Sequence, residues 1–550
     1  MVAGAALLWV IAKHGDATVL RSGGLLPPAF RRSLAPPGQA RSAAATQDRI
    51  SGSLAETLAH AQQLIEQRDL AAARSELTGA LGVYPRDPGL RNLLGVVEAQ
   101  QGDYRKAEAD FKISIAAAAS RFTGAYLNLG RLYQENAAKD PHALEKGLEI
   151  YRRLLDFEPG NVEATYQSAV LLGRLGSFQA SLDQLSRLPA EDQQRAQALS
   201  LRCADYAGLG ETARAEGAAA RLLAREDMAE ADVVSILPVL ESHKRDDLEG
   251  RLLEGLAERK LASPGTLNRL GLLYERRGRL DQARATLERV AELEPNSVPT
   301  LLELARVASQ QKDNKGALGY LAHARDLEPA NASVHFFFGM VSVEENLAQE
   351  AYMALKKAVS LDPANAYYNY AIGAVAVGRD DPREAVPYFQ KYCELKPQDA
   401  RGRFALGAAY FYSHDYERAR QKLKAAARAP ETASGAHFFL GRIANQEGDS
   451  TEAVRELRLA LEGDPNYADA HAELGRVRLN RKEYPLAEKE LARALEIDPN
   501  NYTANLNLMV LYQRTKDPRA EAQASRFEEV KKRRAQRAKE FLRTIEVRPY

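Results

Sequence analysis

The sequence predicts an all-α solenoid made of repeated helix–turn–helix units. Three recurrences between Thr266 and Pro499 carry that prediction. Alanine returns every 34 residues, at Ala283, Ala317, Ala351, Ala385, Ala419, Ala453 and Ala487. Proline keeps the same spacing at Pro295, Pro329, Pro363, Pro397, Pro465 and Pro499, and slips to Pro430 in one unit. Glycine keeps it at Gly271, Gly339, Gly373, Gly407, Gly441 and Gly475, with Ala305 in the missing place. A globular domain does not need such regularity. A stack of like units does, because each unit presents the same small residues to the same neighbour.

Length and composition agree. A chain of 550 residues exceeds one compact core, so an elongated stack or several domains is expected. Ala, Leu, Glu, Arg and Gln are abundant, which favours helix. Lysine and arginine number 75 against 74 acidic residues, a net charge of +1, so no global field argues for nucleic acid or an acidic surface. The two cysteines, Cys203 and Cys393, are too few for a disulfide framework or a metal site.

Residues 1–53 are expected to form a disordered leader and linker. Met1–Ala12 is an apolar run containing Trp9, too short to span a bilayer and without the basic start of a signal peptide. It could be the remnant of a signal sequence. Gly23, Gly24, Pro27, Pro28, Pro36, Pro37 and Gly38, with Arg31, Arg32 and Arg41, mark Leu20–Asp48 as flexible.

Units then follow in order. Residues 54–161 hold the first ones. Leu54–Gln67 and Leu70–Val83 are predicted helices, closed by Pro85. The next unit carries Leu94-Gly95, the turn Gly102-Asp103, Ala107 and Phe111. The third carries Asn128, Gly130 and Arg131, with extra residues around Asn136–His142 that belong in a turn. From Val162 the period is strict, with units starting at Val162, Ala196, Glu230, Pro264, Val298, Ala332, Ala366, Ala400, Ser434, Ala468 and Tyr502. Residues 162–263 include diverged units: Cys203 and Leu237 stand at glycine places and Glu249 at an alanine place. The frame resumes unshifted, so these are units in register, with a hinge or a side site as an alternative. Residues 264–501 are seven regular units. Residues 502–550 are the terminal pair, Tyr502–Arg514 and Arg519–Val530, and a basic capping helix with Lys531, Lys532, Arg533, Arg534 and Arg537. Proline ends each second helix, which it cannot continue. Asn296-Ser297, Asn331, Asn365, Asp399 and Asn500-Asn501 offer oxygens to cap the next helix.

The pattern resembles the tetratricopeptide repeat family, whose unit has 34 residues with small residues at places eight, twenty and twenty-seven and proline at thirty-two. Gly441, Ala453, Ala460 and Pro465 match it in one unit, and Gly475, Ala487, Ala494 and Pro499 in the next. The resemblance implies a right-handed superhelical solenoid, here of about fourteen units. It also implies that the first helix of each unit lines a concave face, with the fifth place pointing inward. That place holds Phe336, Tyr370, Phe404 and Phe438 in successive units, with Tyr367, Phe411 and Tyr412 at other inward places and Arg306, Arg401, Arg442 and Arg476 nearby. Such a row suits an extended or helical peptide with acidic groups, through aromatic burial and arginine–carboxylate pairing. The expected groove is therefore Phe336, Tyr367, Tyr370, Phe404, Phe411, Phe438, Arg442 and Arg476; the bland alternative is that these rings only stiffen the stack. The chaperone-tail clamp of some family members is disfavoured, since Asn128 and Arg131 are preceded by Asn92 and Val96 rather than the expected pair.

No phosphate-cradling loop, HExxH, CxxC or GxSxG occurs. No enzyme activity, cofactor or metal is expected. His335, His437 and His471 share one place in their units, which points to a repeated surface or semi-buried position, with a polar ladder as the alternative. The expected function is a non-catalytic scaffold that holds protein partners or peptides in its groove. The alternative is an envelope-associated assembly or secretion factor tethered by its N-terminus or its basic C-terminal helix. The default location is cytoplasmic, with periplasmic or membrane-associated as the alternative.

Overall fold

The computed structural model describes residues 47–536 apart from 119, 120 and 380, with side chains from 54 to 532. Met1–Ala12, most of the expected linker and the basic side chains from Arg533 onward lie outside the described residues. Among the described residues every regular element is a helix, and none is long and apolar enough to cross a membrane. By contact the chain divides at residues 277 and 278 into two compact units.

In the first compact unit the helices pair as the period predicts. Pro88–Gln100 packs on Tyr104–Ala117, Thr123–Glu135 on Ala143–Phe157, Val162–Arg174 on Phe178–Ser186, and Ala196–Gly208 on Thr212–Leu223. The extra residues of the third unit fall in the loop between Glu135 and Ala143, as expected. Two expectations need correction. The first helix, Gln47–Glu66, begins inside the segment expected to be linker, because no proline interrupts the chain after Pro37 until Pro85. In the unit that starts at Glu230 the first helix is split into Glu230–Val234 and Leu237–Ser242. Pro238 explains the break: it donates no N–H and its ring would meet the carbonyl four residues back, at Val234.

The second compact unit holds the regular pairs, from Val298–Gln310 with Asn314–Leu327 to Tyr502–Thr515 with Ala520–Gln536. The last helix runs six residues beyond the expected end at Val530. Where the proline slips, Pro430 does not close the preceding helix; it opens the next one, Pro430–Gln446, as its first residue. Asn331, Asn365, Asp399 and Asn501 cap their helices through side-chain oxygens, at 2.9–3.4 Å. Ser297 does not. Successive first helices approach one another, as Ala400–Tyr412 does Pro430–Gln446, so they share one side of the stack.

The turn between the two helices of a unit needs one residue at positive φ, fifteen places in. Gly102 (φ 83°) and Gly448 (φ 88°) supply it without strain, whereas Lys312 (65°), His414 (62°) and Lys482 (61°) adopt it despite a Cβ. His414→Gly and Lys482→Gly should therefore each stabilise the fold by about 1 kcal/mol, the left-handed penalty net of glycine's extra chain entropy being the upper part of that range. Urea midpoints against the parent chain check this, and a fall on both substitutions would contradict it.

The first compact unit also buries a carboxyl that no motif announces. Asp205 is fully inaccessible, and its Oδ2 accepts from the Ser181 hydroxyl at 2.7 Å while Oδ1 has no partner. Burial pushes the carboxyl up to about 7, against a smaller downward pull from Ser181. A raised carboxyl favours the protonated fold, so stability falls as pH rises from the ordinary aspartate value towards 7, then stays low. Asp205→Asn should remove that loss, on the order of a few kcal/mol at pH 8 and little at pH 4. Thermal midpoints across that pH range measure it.

Candidate functional site

The six rings among the eight expected groove residues fall into two groups. Phe336, Tyr367 and Phe404 are half-buried, each with part of its ring towards solvent. Tyr370, Phe411 and Phe438 are 7, 5 and 4% exposed, which corrects the expectation that the whole row is free surface. They are covered because each ring packs against the rings of neighbouring helices. Tyr370 meets Phe389 at 5.5 Å and Tyr392 at 5.0 Å between centroids; Phe411 meets Phe439 at 5.2 Å; Phe438 meets Tyr467 at 5.0 Å. These are the tilted and edge-to-face arrangements that aromatic quadrupoles favour.

Three of the half-exposed rings, Phe336, Phe404 and Tyr412, rest on buried rings. Phe336 stacks on Tyr368 at 4.7 Å and 29°. Phe404 lies 5.8 Å from Phe439 and has room only because position 435 is glycine, where a Cβ would come within 2.9 Å of its ring. Tyr367 lies below the Lys396 ammonium, 5.7 Å from the ring centre. Tyr412, also half-buried, meets Phe411 edge-on at 5.3 Å.

The arginines are engaged within the chain. The Arg442 guanidinium lies over Phe411 at 4.6 Å and Phe438 at 5.6 Å, and stands 3.9 Å from Glu473 Oε1. Arg476 Nε donates to Glu473 Oε2 at 2.7 Å. Arg306 bonds Glu303 three residues before it, and Arg401 donates to both oxygens of Asp399. The expectation that these arginines wait for a partner's acid is therefore corrected: each already faces a carboxylate of its own helix, of that helix's N-cap or of the next unit. Beside them Asp469 accepts from Asn501 Nδ2 at 2.7 Å, and desolvation raises its carboxyl.

Sequence reasoning missed Tyr368, Tyr392, Phe439, Tyr467 and Glu473. A signal existed for Glu473, since it precedes Arg476 by one helical turn. The recurring histidines bond within the chain: His335, which is buried, and His471 reach the carbonyls of Pro329 and Pro465 in the turn before. At the other end of the chain Asn128 Nδ2 donates to Asn92 Oδ1 at 2.9 Å, so the two amides satisfy each other across a unit boundary.

Comparison with known families now adds to this geometry. Two family models, both described as tetratricopeptide repeat, match residues 274–335 and 444–509, and residues 58–121 and 404–468. The chain is a tetratricopeptide-repeat protein. No curated protein matches it. Among solved structures, this tetratricopeptide-repeat chain is similar to the Cut9–Hcn1 hetero-tetramer of APC/C at 14% identity, over 82% of this chain and 95% of that one, with a TM-score of 0.36. It is similar to MamA at 23% identity, over 31% and 92%, with a TM-score of 0.29. It is similar to YrrB, described as having an unusual peptide-binding site, at 22% identity, over 40% and 95%, with a TM-score of 0.26.

Asp399 joins two helices beside the candidate face, Pro382–Leu395 and Ala400–Tyr412. It caps Ala400–Tyr412, holds Arg401 and accepts from the Tyr392 hydroxyl at 2.6 Å. Burial alone would raise its carboxyl, but the bonds from Arg401 and Tyr392 hold it down at about 2. A depressed carboxyl contributes stability above the ordinary aspartate value and loses it as pH falls towards 2. Asp399→Asn should therefore lower stability at pH 7 by on the order of 1 kcal/mol, after allowing for solvent screening at this partly exposed site, and the difference from the parent should close by pH 2. Urea titrations at the two pH values test this.

Proposed function

We propose that this protein is a non-catalytic scaffold and that it binds a segment of a protein partner along the first-helix side of the units from Ala332 to Asn480. The observation that carries the reading is the succession of half-exposed rings, Phe336, Tyr367, Phe404 and Tyr412, of which Phe336, Phe404 and Tyr412 pack on buried rings and Tyr367 lies against the Lys396 ammonium. A ring held in one orientation gives up little conformational entropy on binding and offers a large apolar contact, as interface hot spots do. Tyr370, Phe411 and Phe438 serve this face as its foundation rather than its surface. Arg442 and Arg476 supply polar edges, with donors shared between Glu473 and an incoming backbone carbonyl or carboxylate. The tetratricopeptide repeats support the scaffold role in general, and the solved relatives with partners in their descriptions are consistent with it.

The partner segment fitted by this face is apolar or aromatic at intervals, because the arginines have carboxylates of their own. Tyr367→Ala and Phe404→Ala together should reduce partner recovery by at least about tenfold in affinity capture with mass spectrometry, each truncated ring being worth 1 kcal/mol or more at a hot spot. Matched circular dichroism and thermal midpoints establish that the variant is folded. Unchanged recovery by a folded double variant would remove the reading.

A further inference from the structure

The repeat supplies an internal control for charge. In three units the side chain at place four faces a carboxylate at place twenty-three. Arg91 Nη1 donates to Asp110 Oδ1 at 2.7 Å, His437 Nδ1 lies 2.7 Å from Glu456 Oε2, and His471 Nδ1 lies 2.7 Å from Glu490 Oε2. The place-four side chain also reaches back to the proline carbonyl of the preceding turn. His335 Nε2 stands 2.9 Å from Pro329 O, and Asn369 and Asn505 donate to Pro363 O and Pro499 O at 3.1 and 3.2 Å.

In the unit that starts at Ala400, place four is Arg403, and it makes the same bond back, to Pro397 O at 2.5 Å. Place twenty-three of this unit is Lys422. A second cation thus stands where three other units have an acid. Both cations act on the Cys393 thiol, which burial pushes up and Lys422, then Arg403, pull down. Neighbouring carboxylates are already taken. Asp399 is held by Arg401, Glu394 by Lys391, Asp415 by Arg418, and Glu447 by Arg420. Lys424 and Arg428, both exposed, extend the positive stretch.

We propose that Arg403 and Lys422 receive a carboxylate from an acidic segment of a protein partner, in the place where the repeat elsewhere supplies its own. The guanidinium offers a planar fork with donors left over from Pro397 O, and the ammonium a second, mobile donor. At a half-exposed site the attraction is screened, so binding weakens steeply with salt. This site is separate from the aromatic face, and its test is independent of that face.

The test uses a fluorescein-labelled oligoglutamate peptide and the full chain, read by anisotropy at low salt. Lys422→Glu rebuilds the pair that Arg91 and Asp110 form, so this variant should fold with a midpoint equal to or above the parent's. It should also lose peptide affinity by about tenfold, the effect of reversing a charge opposite a carboxylate. Arg403→Gln should lose a smaller factor. Lys315→Glu, an exposed lysine in another unit, makes the same change in net charge and should leave affinity within about twofold of the parent, as screening of a distant charge requires. Equal losses on Lys422→Glu and Lys315→Glu, or no loss on either, would overturn the proposal. Failure of the Tyr367 and Phe404 test would leave this one standing, and the reverse holds.

Discussion

The stack depends on one contact: the small residue at place eight of the first helix against a large apolar residue at place twenty-four of the second. At Gly407 a Cβ would lie 2.7 Å from Leu423 Cγ, and at Gly475 2.6 Å from Leu491 Cγ and 3.3 Å from the Ala487 carbonyl. Both leucines are fully buried. The two helices thus touch backbone to side chain with no room for one methyl group, and close-packed interiors resist even that change. Ala305 fills the place in one unit, where it is buried in the same cluster as Leu321. Fixing the helices at this distance leaves the connecting turn little freedom. That is why place fifteen takes a positive φ at lysine, histidine and asparagine as well as at glycine. The backbone obeys the packing, and the residue bears the strain.

The same constraint explains how much of the fold was legible. Places eight, twenty and thirty-two recur because their geometry recurs, so period, pairing and most caps follow from letters alone. The misses lie where one residue has two roles. Pro430 can end one helix or begin the next, and the shortened helix Tyr416–Ala426 decides in favour of the second. Pro238 stays within the frame by count yet splits its helix, since counting places does not register a missing donor. Asp205 carries no motif at all. Its burial comes from Ser181 and from the close-packed Gly173, whose Cβ would lie 3.1 Å from Oδ1. Such a pairing exists only between units.

The candidate face was legible in position but not in exposure. Place five does hold a row of rings. Whether a given ring meets water depends on the residue packed over it: Tyr467 closes over Phe438, while Gly435 leaves Phe404 open. Sequence spacing identifies which side chains share a side, and only the packed neighbours determine which of them remain available. The arginines show the same limit. Arg476 stands one turn after Glu473 and Arg401 two residues after Asp399, spacings at which a carboxylate competes with any outside partner. Ions that look free in a row of letters are neutralised by their own helix.

Charge that is not neutralised is therefore the informative kind. In a globular domain an unpaired cation has no reference state, because no second position shares its surroundings. A repeat provides one. The geometry of places four and twenty-three is held constant by the glycine contact, so the substitution of Lys422 for the carboxylates at Asp110, Glu456 and Glu490 changes chemistry alone. Two like charges near a solvated edge cost little, well under the penalty of a buried pair, so the fold tolerates Arg403 beside Lys422 without correction. Tolerance also means that the pair does nothing for stability. What distinguishes it from its counterparts is that no carboxylate of the repeat stands at its place twenty-three, and a carboxylate from outside the chain can occupy the position that His437 and His471 reserve for their own.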